Sequence, residues 1–387
     1  MKQIKLKRHG IKKEGSVLLT SHTPINLLGK YGDFYDGSIS GFNANELYFK
    51  SIANRYKEDY VKIYFPKSAY TFYLKKFGYN EVSDKSTIKG LLYGTFKELI
   101  DRKLLVNFEG IKFSYITTIK ESEGFYTNFL INFIKSLVLI YDIKMEDSQI
   151  CEVIQKVYYE YGGKILPYLY LMSFFIDGAY SLSLKGNKLT IGNSFLNLDR
   201  FAIFDLRIKD ALTTNESNIY LKSIYDVYKK VRDYARVNKL TDINFRHAFN
   251  YLFGPYSQLK DYEKLVITYF FEEEKRCFHF LEAFNDVHAS TKLLDSVNQS
   301  NVEAGAYLNL NAYNNHLEAN VYKATFKNSL ALTEANIEAT NNFIYITTKE
   351  LKEEVTKHLL QNKNNDLHEL TISPKGIEIS SLEDEKK

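Results

Sequence analysis

The stretch from Ser21 to Gly37 constrains the fold more than any other part of this 387-residue chain. Ser16-Val17-Leu18-Leu19-Thr20, just before it, is a short apolar run of strand type. Closely spaced glycines and acids follow, from Gly29 through Gly32, Asp33, Asp36 and Gly37, which is turn chemistry. A strand that empties into such a turn makes Asn26, Asp33 and Asp36 candidates for holding a polyhydroxylated ligand. Asn and Asp present the short, fixed donors and acceptors that hydroxyl groups need. The competing reading is a turn stabilised by its own Asx side chains.

The length is enough for two domains with ordinary cores. Hydrophobic content of 45% and charged content of 25% are those of a soluble globular protein. The net charge of +4 is weak for this size and gives no reason to expect a nucleic-acid or membrane partner. Cys151 and Cys277 supply neither a disulfide framework nor a zinc spacing, and the histidines are scattered, so no metal site is expected. The basic segment Met1–Arg8 is not followed by a signal-type apolar run. The most apolar windows, 129–141 and 165–176, fall short of the roughly 20 residues that span a bilayer. The expected location is cytoplasmic.

Along the chain, Ile88, Leu91, Leu92, Phe96, Leu99 and Ile100 recur at helical spacing behind Thr87, which stands where an N-cap belongs. Residues 106–116 read as strands around a Glu109-Gly110 turn. A polar loop, 117–124, then opens into an apolar helix over 125–139, a geometry that offers backbone N–H groups to an anion. Residues 161–164 read as a loop before a helix over 167–176, and Gly186-Asn187 as the turn of a hairpin. A strand is expected over 201–206 and helices over 220–237 and 262–284, where Glu272-Glu273-Glu274-Lys275-Arg276 reads as a solvated face. Strand, helix and strand follow over 343–347, 350–361 and 371–380. The expectation is a two-domain α+β protein divided into 1–195 and 196–387.

Ile25-Asn26-Leu27-Leu28-Gly29, with Asp33, Phe34 and Gly37, resembles the first signature of the galactokinases in the GHMP small-molecule kinase superfamily. The family's phosphate loop falls on residues 119–128, where Ser122, Gly124, Thr127 and Asn128 are its remnant. Tyr170-Leu171-Met172-Ser173-Phe174-Phe175 is similar to the helix start that carries the family's catalytic aspartate, which places Ser173 at that position. Tyr220 matches a further family tyrosine, Asn298-Gln299-Ser300-Asn301 a family L-M-N-Q-S-H, and Ser373-Pro374-Lys375-Gly376 its closing strand. Residues 332–339 take the place of the glycine-rich third signature without keeping a glycine. The resemblance implies a GHMP-type α+β fold, with a ribosomal-S5-domain-2-like N-terminal domain, a ferredoxin-like C-terminal domain and a ligand cleft between them. It also implies a sugar site at Asn26, Gly29, Asp33, Asp36, Gly37 and Tyr220.

The chemistry of the family is a different matter. Its catalytic arginine falls on Pro24, which has neither charge nor backbone donor. A serine of ordinary pKa at position 173 cannot replace a carboxylate that orients or deprotonates a sugar hydroxyl. Lys30 and Asp177 are the candidate substitutes, Asp177 being one helical turn beyond Ser173. Three readings follow. The first is a galactokinase-like pseudoenzyme that binds a sugar, a related small molecule or a protein partner. The second is an active Mg-ATP-dependent kinase with relocated residues, the only reading that implies a cofactor. The third is an interaction protein with a vestigial cleft.

Overall fold

Two long strands, β1 (Ser16–Leu28) and β2 (Ile39–Arg55), open the described part of the chain. The structure is a computed structural model that describes residues 16–29, 37–58, 60–64, 69–73, 87–105, 109–120, 124–162, 165–185, 188–194, 201–208, 214–243, 252–285, 290–308, 330–336, 339–362 and 365–380. The chain divides into two compact units. One holds Met1–Thr23, Glu46–Leu166 and Lys375–Lys387; the other holds Pro24–Asn45 and Pro167–Pro374. The boundary expected at residue 195 lies outside the described residues.

In the first unit the strand order is β12-β1-β2-β5-β3-β4, with β3 (Tyr60–Tyr64), β4 (Ala69–Tyr73), β5 (Ile111–Thr117) and β12 (Ile377–Ser380). β12 pairs antiparallel with β1, Leu18 opposite Ser380 and Ser21 opposite Ile377. β5 is antiparallel to β2 and parallel to β3. Parallel neighbours need a crossover, and the connection from β4 to β5 carries the helix α1 (Ile88–Asp101). Thr87 caps it as expected, its side chain accepting the Gly90 N–H at 3.3 Å. Leu91, Leu92, Phe96 and Leu99 are buried, whereas Ile100, expected on the same face, is 42% exposed. The helix α2 (Phe125–Ile140) turns Phe129 and Phe133 onto the sheet, where both rings meet Phe113 at 5.5 and 5.4 Å. Burial of each such side chain contributes roughly 1.5–3 kcal/mol. α3 (Asp147–Val157) runs into a π-helical turn, Tyr158–Gly162, at the point where the sequence suggests a loop.

The second unit holds residues 24–28 of β1 and 39–45 of β2, with Ile39 of β2 opposite Leu182 of β6 (Ala179–Lys185). β6 and β7 (Lys188–Ser194) form the expected hairpin. The expected helix over 167–176 is only Tyr168–Ser173 (α4). A second sheet has the order β11-β8-β10-β9, all antiparallel: β8 (Phe201–Ile208), β9 (Leu330–Asn336), β10 (Ala339–Thr348) and β11 (Asn365–Leu370). The short helix α8 (Lys352–Leu359) packs Val355 and Leu359 against Phe204 and Tyr345 of that sheet. Three long helices, α5 (Thr214–Ala235), α6 (Asp261–Asn285) and α7 (Ser290–Leu308), share a core that includes Ile224, Tyr228, Val266, Phe270 and Leu308. Of the strand expected over 371–380 only β12 forms. Among the described residues no helix is long and apolar enough to cross a membrane.

Candidate functional site

The turn expected within Ser21–Gly37 begins later than the sequence suggests. β1 continues to Leu28, so Asn26 is a strand residue and the turn starts at Gly29. Asn26, a described polar position of this segment, escapes solvent with its side chain hydrogen-bonded. Asn26 is 1% exposed, and its Oδ1 accepts the Tyr180 hydroxyl at 2.7 Å. Gly29 has φ +80°, and a Cβ there would lie 2.0 Å from the Ser38 carbonyl oxygen, so only glycine fits. Gly37 is buried at the far end of the turn. Lys30, Asp33 and Asp36 lie outside the described residues, as does Ser122. Tyr220 belongs to α5, and its side chain also lies outside them.

Both ends of the turn are held by α6, through residues the sequence suggested were solvated. Glu273 is 1% exposed, and its Oε2 accepts the Gly29 N–H at 2.7 Å. Glu274 accepts the Ser38 N–H on Oε1 and the Ser38 hydroxyl on Oε2, the latter at 2.9 Å. Cys277 directs its thiol at the Ser38 carbonyl, 3.4 Å away. Arg276 balances the buried carboxylate, 2.5 Å from Glu273 and 2.5 Å from Glu303 of α7. Burial opposes the charge on Arg276, but Glu273 and Glu303 outweigh it and keep the guanidinium firmly protonated. The solvated-face reading is therefore wrong at Glu273. The signal was present in the spacing: Val266, Phe270, Glu273, Cys277 and Phe280 form one buried stripe at helical period, with the glutamate inside it.

Pro24 and Ser173, where the resemblance puts the family's arginine and aspartate, are both buried. Pro24 is a buried residue of β1, past the last β12 pair at Ser21, where a missing N–H costs no ladder bond. Ser173 is 0% exposed, and its hydroxyl donates to the Tyr170 carbonyl at 2.7 Å. The Asn43 amide donates to the carbonyls of Ser173 at 3.0 Å and Ile176 at 2.7 Å, closing the C-terminal end of α4. Asp177 was expected on the face of Ser173, one helical turn on. The helix ends at Ser173, however, and Asp177 belongs to the connection that bends at Gly178, φ +71°, into β6. Helical spacing therefore does not relate the two residues.

In the first unit Gly124, Thr127 and Asn128, where the resemblance puts the end of a phosphate loop, lie at the start of α2. Gly124 is the N-cap, in the left-handed region at φ +86°, with no side-chain cap. The side chains that follow it are committed to the protein. Thr127 donates to the Tyr158 hydroxyl at 3.0 Å. Asn128 donates to the Thr23 hydroxyl and the Gly124 carbonyl, both at 3.1 Å, and accepts the Ser21 hydroxyl at 2.9 Å. Asn132 extends the chain, donating to Ser21 at 2.5 Å and accepting from Ser51 at 3.1 Å. All these residues are buried. The polar side chains of the helix start thus tie α2 to β1 and β2, and what this segment offers an anion is backbone N–H.

No protein-family model matches the sequence, and no curated protein sequence matches it. Solved structures do resemble it. A galactokinase from Lactococcus lactis complexed with galactose is similar at TM-score 0.78 and 13% identity, over 96% of each chain. The mevalonate kinase of Methanococcus jannaschii is similar at TM-score 0.59 and 13% identity, covering 93% of this chain and 99% of its own. A mevalonate pyrophosphate decarboxylase from Streptococcus pyogenes follows at 0.54 and 10%, covering 93% and 97%. At such identities the likeness is one of fold, and it extends over nearly the whole length of these proteins. The chain has the α+β fold of the GHMP small-molecule kinases, galactokinase among them.

Proposed function

We propose that this protein is a galactokinase-like pseudoenzyme that binds a sugar or a related small molecule without transferring phosphate. The observation that carries the reading is Ser173. Where the resemblance puts the catalytic aspartate, a fully buried hydroxyl is spent on the carbonyl of its own helix. It can neither take a proton from a substrate nor hold a negative charge there. Pro24 at the family's arginine position and the inward-facing Thr127 and Asn128 support the same conclusion. Phosphoryl transfer rests on positioned charge, and a proline cannot supply what a guanidinium does.

The ligand side of the proposal rests on what is kept. Asn26, Gly29 and Gly37 remain in place at the ends of the turn, and α6 fixes those ends through Glu273 and Glu274. Asp33 stands in the sequence where the resemblance puts the family's sugar-gripping acid, and Asp36 adds a second carboxylate nearby. The galactose in the Lactococcus lactis relative makes that sugar the first probe. In a thermal-shift titration, galactose at saturating concentration raises the unfolding midpoint, because a ligand bound only by the native state stabilises it by mass action. Mg-ATP leaves the midpoint unchanged. A midpoint that rises with Mg-ATP and not with galactose would refute the reading.

A further inference from the structure

Away from the turn and α2, the first unit presents a second feature that its fold does not require. β3 and β5 turn Val61, Ile63, Ile111 and Phe113 inward, all 0% exposed. Their alternate residues, Tyr60, Lys62, Tyr64, Lys112 and Ser114, lie on the opposite face and are half-buried. The parallel register sets Lys62 directly beside Lys112. Like charges in such neighbouring positions oppose folding, and among the described residues neither lysine has a carboxylate at salt-bridge distance. Aromatic rings surround the pair. Lys112 Nζ is 3.6 Å from the Tyr56 ring centroid and Lys62 Nζ 5.4 Å from that of Tyr64. Tyr56 and Tyr60 lie 5.1 Å apart. Along β3 the order is ring, cation, ring, at steps of about 7 Å.

Among the described residues, nearby carboxylates do not cancel the charge of Lys62 and Lys112. Glu109 pairs with Arg55 at 2.9 Å, and Glu58 accepts the Tyr56 hydroxyl at 2.8 Å. Lys57, exposed in the same turn, stands against the Glu58 carboxylate, so the surplus among the described residues is Lys62 and Lys112. The surface therefore combines a local positive surplus with partly accessible aromatic rings. An apolar partner would not relieve the repulsion between the lysines, and a duplex would offer phosphates but no open bases. A flexible polyanion with stackable rings satisfies both features. We propose that the Tyr60-Lys62-Tyr64/Lys112 face binds single-stranded nucleic acid, with phosphates between Lys62 and Lys112 and bases against the tyrosines. The net charge of the whole chain is only +4, so the attraction is local to this sheet.

The test is fluorescence anisotropy of a fluorescein-labelled oligothymidine of about 12 nucleotides, titrated with full-length protein between about 50 and 200 mM salt. Wild-type protein is expected to bind, more weakly as salt rises. The double variant Lys62→Gln/Lys112→Gln should bind at least tenfold more weakly. Losing two single-strand phosphate contacts should also flatten the slope of log K against log salt by about 1.4. Its thermal midpoint should be no lower than that of wild type, since a like-charge pair is removed. Tyr64→Ala should weaken binding without changing the salt slope. No anisotropy change at low salt overturns the proposal, and so does a double variant that binds with unaltered slope. Binding that ignores Tyr64→Ala while polyglutamate competes as well as the oligonucleotide would make this a general polyanion or acidic-protein surface and overturn it too.

Discussion

A carboxylate at residue 173 would face the Tyr170 carbonyl that the serine hydroxyl now meets at 2.7 Å, acceptor against acceptor, with no exposure to solvent. Burying an unpaired charge costs several kcal/mol. Ser173→Asp, the substitution that would restore the family's residue, is therefore expected to lower stability by about 3 kcal/mol or more in urea denaturation and to yield no kinase activity. A variant that keeps its stability and phosphorylates galactose would show that the surroundings of residue 173 are still those of a catalytic centre. That the resemblance puts a serine at the family's acid and Pro24 at its arginine was legible in the sequence. The direction of the Ser173 hydroxyl was not, because it depends on where α4 ends. Asp177 shows the same limit: helical spacing relates two residues only while the helix lasts, and this one lasts six residues.

At the scale of elements, helices whose apolar periodicity was regular could be read directly. α1 with its Thr87 cap, α2 and the β6–β7 hairpin all follow local pattern. β1 and β2 did not, since Ser21, Thr23, Asn26 and Asn43 look like loop residues until their buried partners are known. Glu273 was hidden for the same reason: a charged residue in a charged run reads as solvated unless the stripe through Phe270 and Cys277 is followed. Glu273→Ala would leave the Gly29 N–H without its buried acceptor and Arg276 with one carboxylate fewer. A loss of about 3–5 kcal/mol is expected, with faster hydrogen exchange at Gly29; unchanged exchange would mean that α6 does not hold the turn. α1 and α3 are tied in a comparable way by Glu98, 7% exposed at its side chain, which meets Arg102 at 2.6 Å and Lys156 at 2.5 Å. Burial opposes the Glu98 charge, but the hydrogen bonds and charges of Lys156 and Arg102 prevail and hold its pKa below the usual value. Such a group stabilises the fold above its unfolded pKa, and the contribution disappears as pH falls through the lower folded value. Glu98→Gln should accordingly lose more stability at pH 7 than in acid and shallow the acid limb of the stability curve. An acid limb parallel to that of wild type would remove Glu98 from the account.

For the molecule as a whole, the likeness to known structures is one of fold. Likeness to a galactokinase over 96% of the chain persists at 13% identity, because a scaffold tolerates replacement wherever burial and pattern are kept. Phosphoryl transfer tolerates less, since it needs particular charges at particular places. Here the polar side chains at the start of α2 and along β1 bond to one another. The central claim is that the scaffold no longer phosphorylates a sugar. The most direct test is phosphorus NMR of purified protein incubated with Mg-ATP and galactose. No galactose phosphate is expected above the protein-free control. Steady formation of galactose phosphate by wild-type protein, abolished by Asp33→Ala, would contradict it.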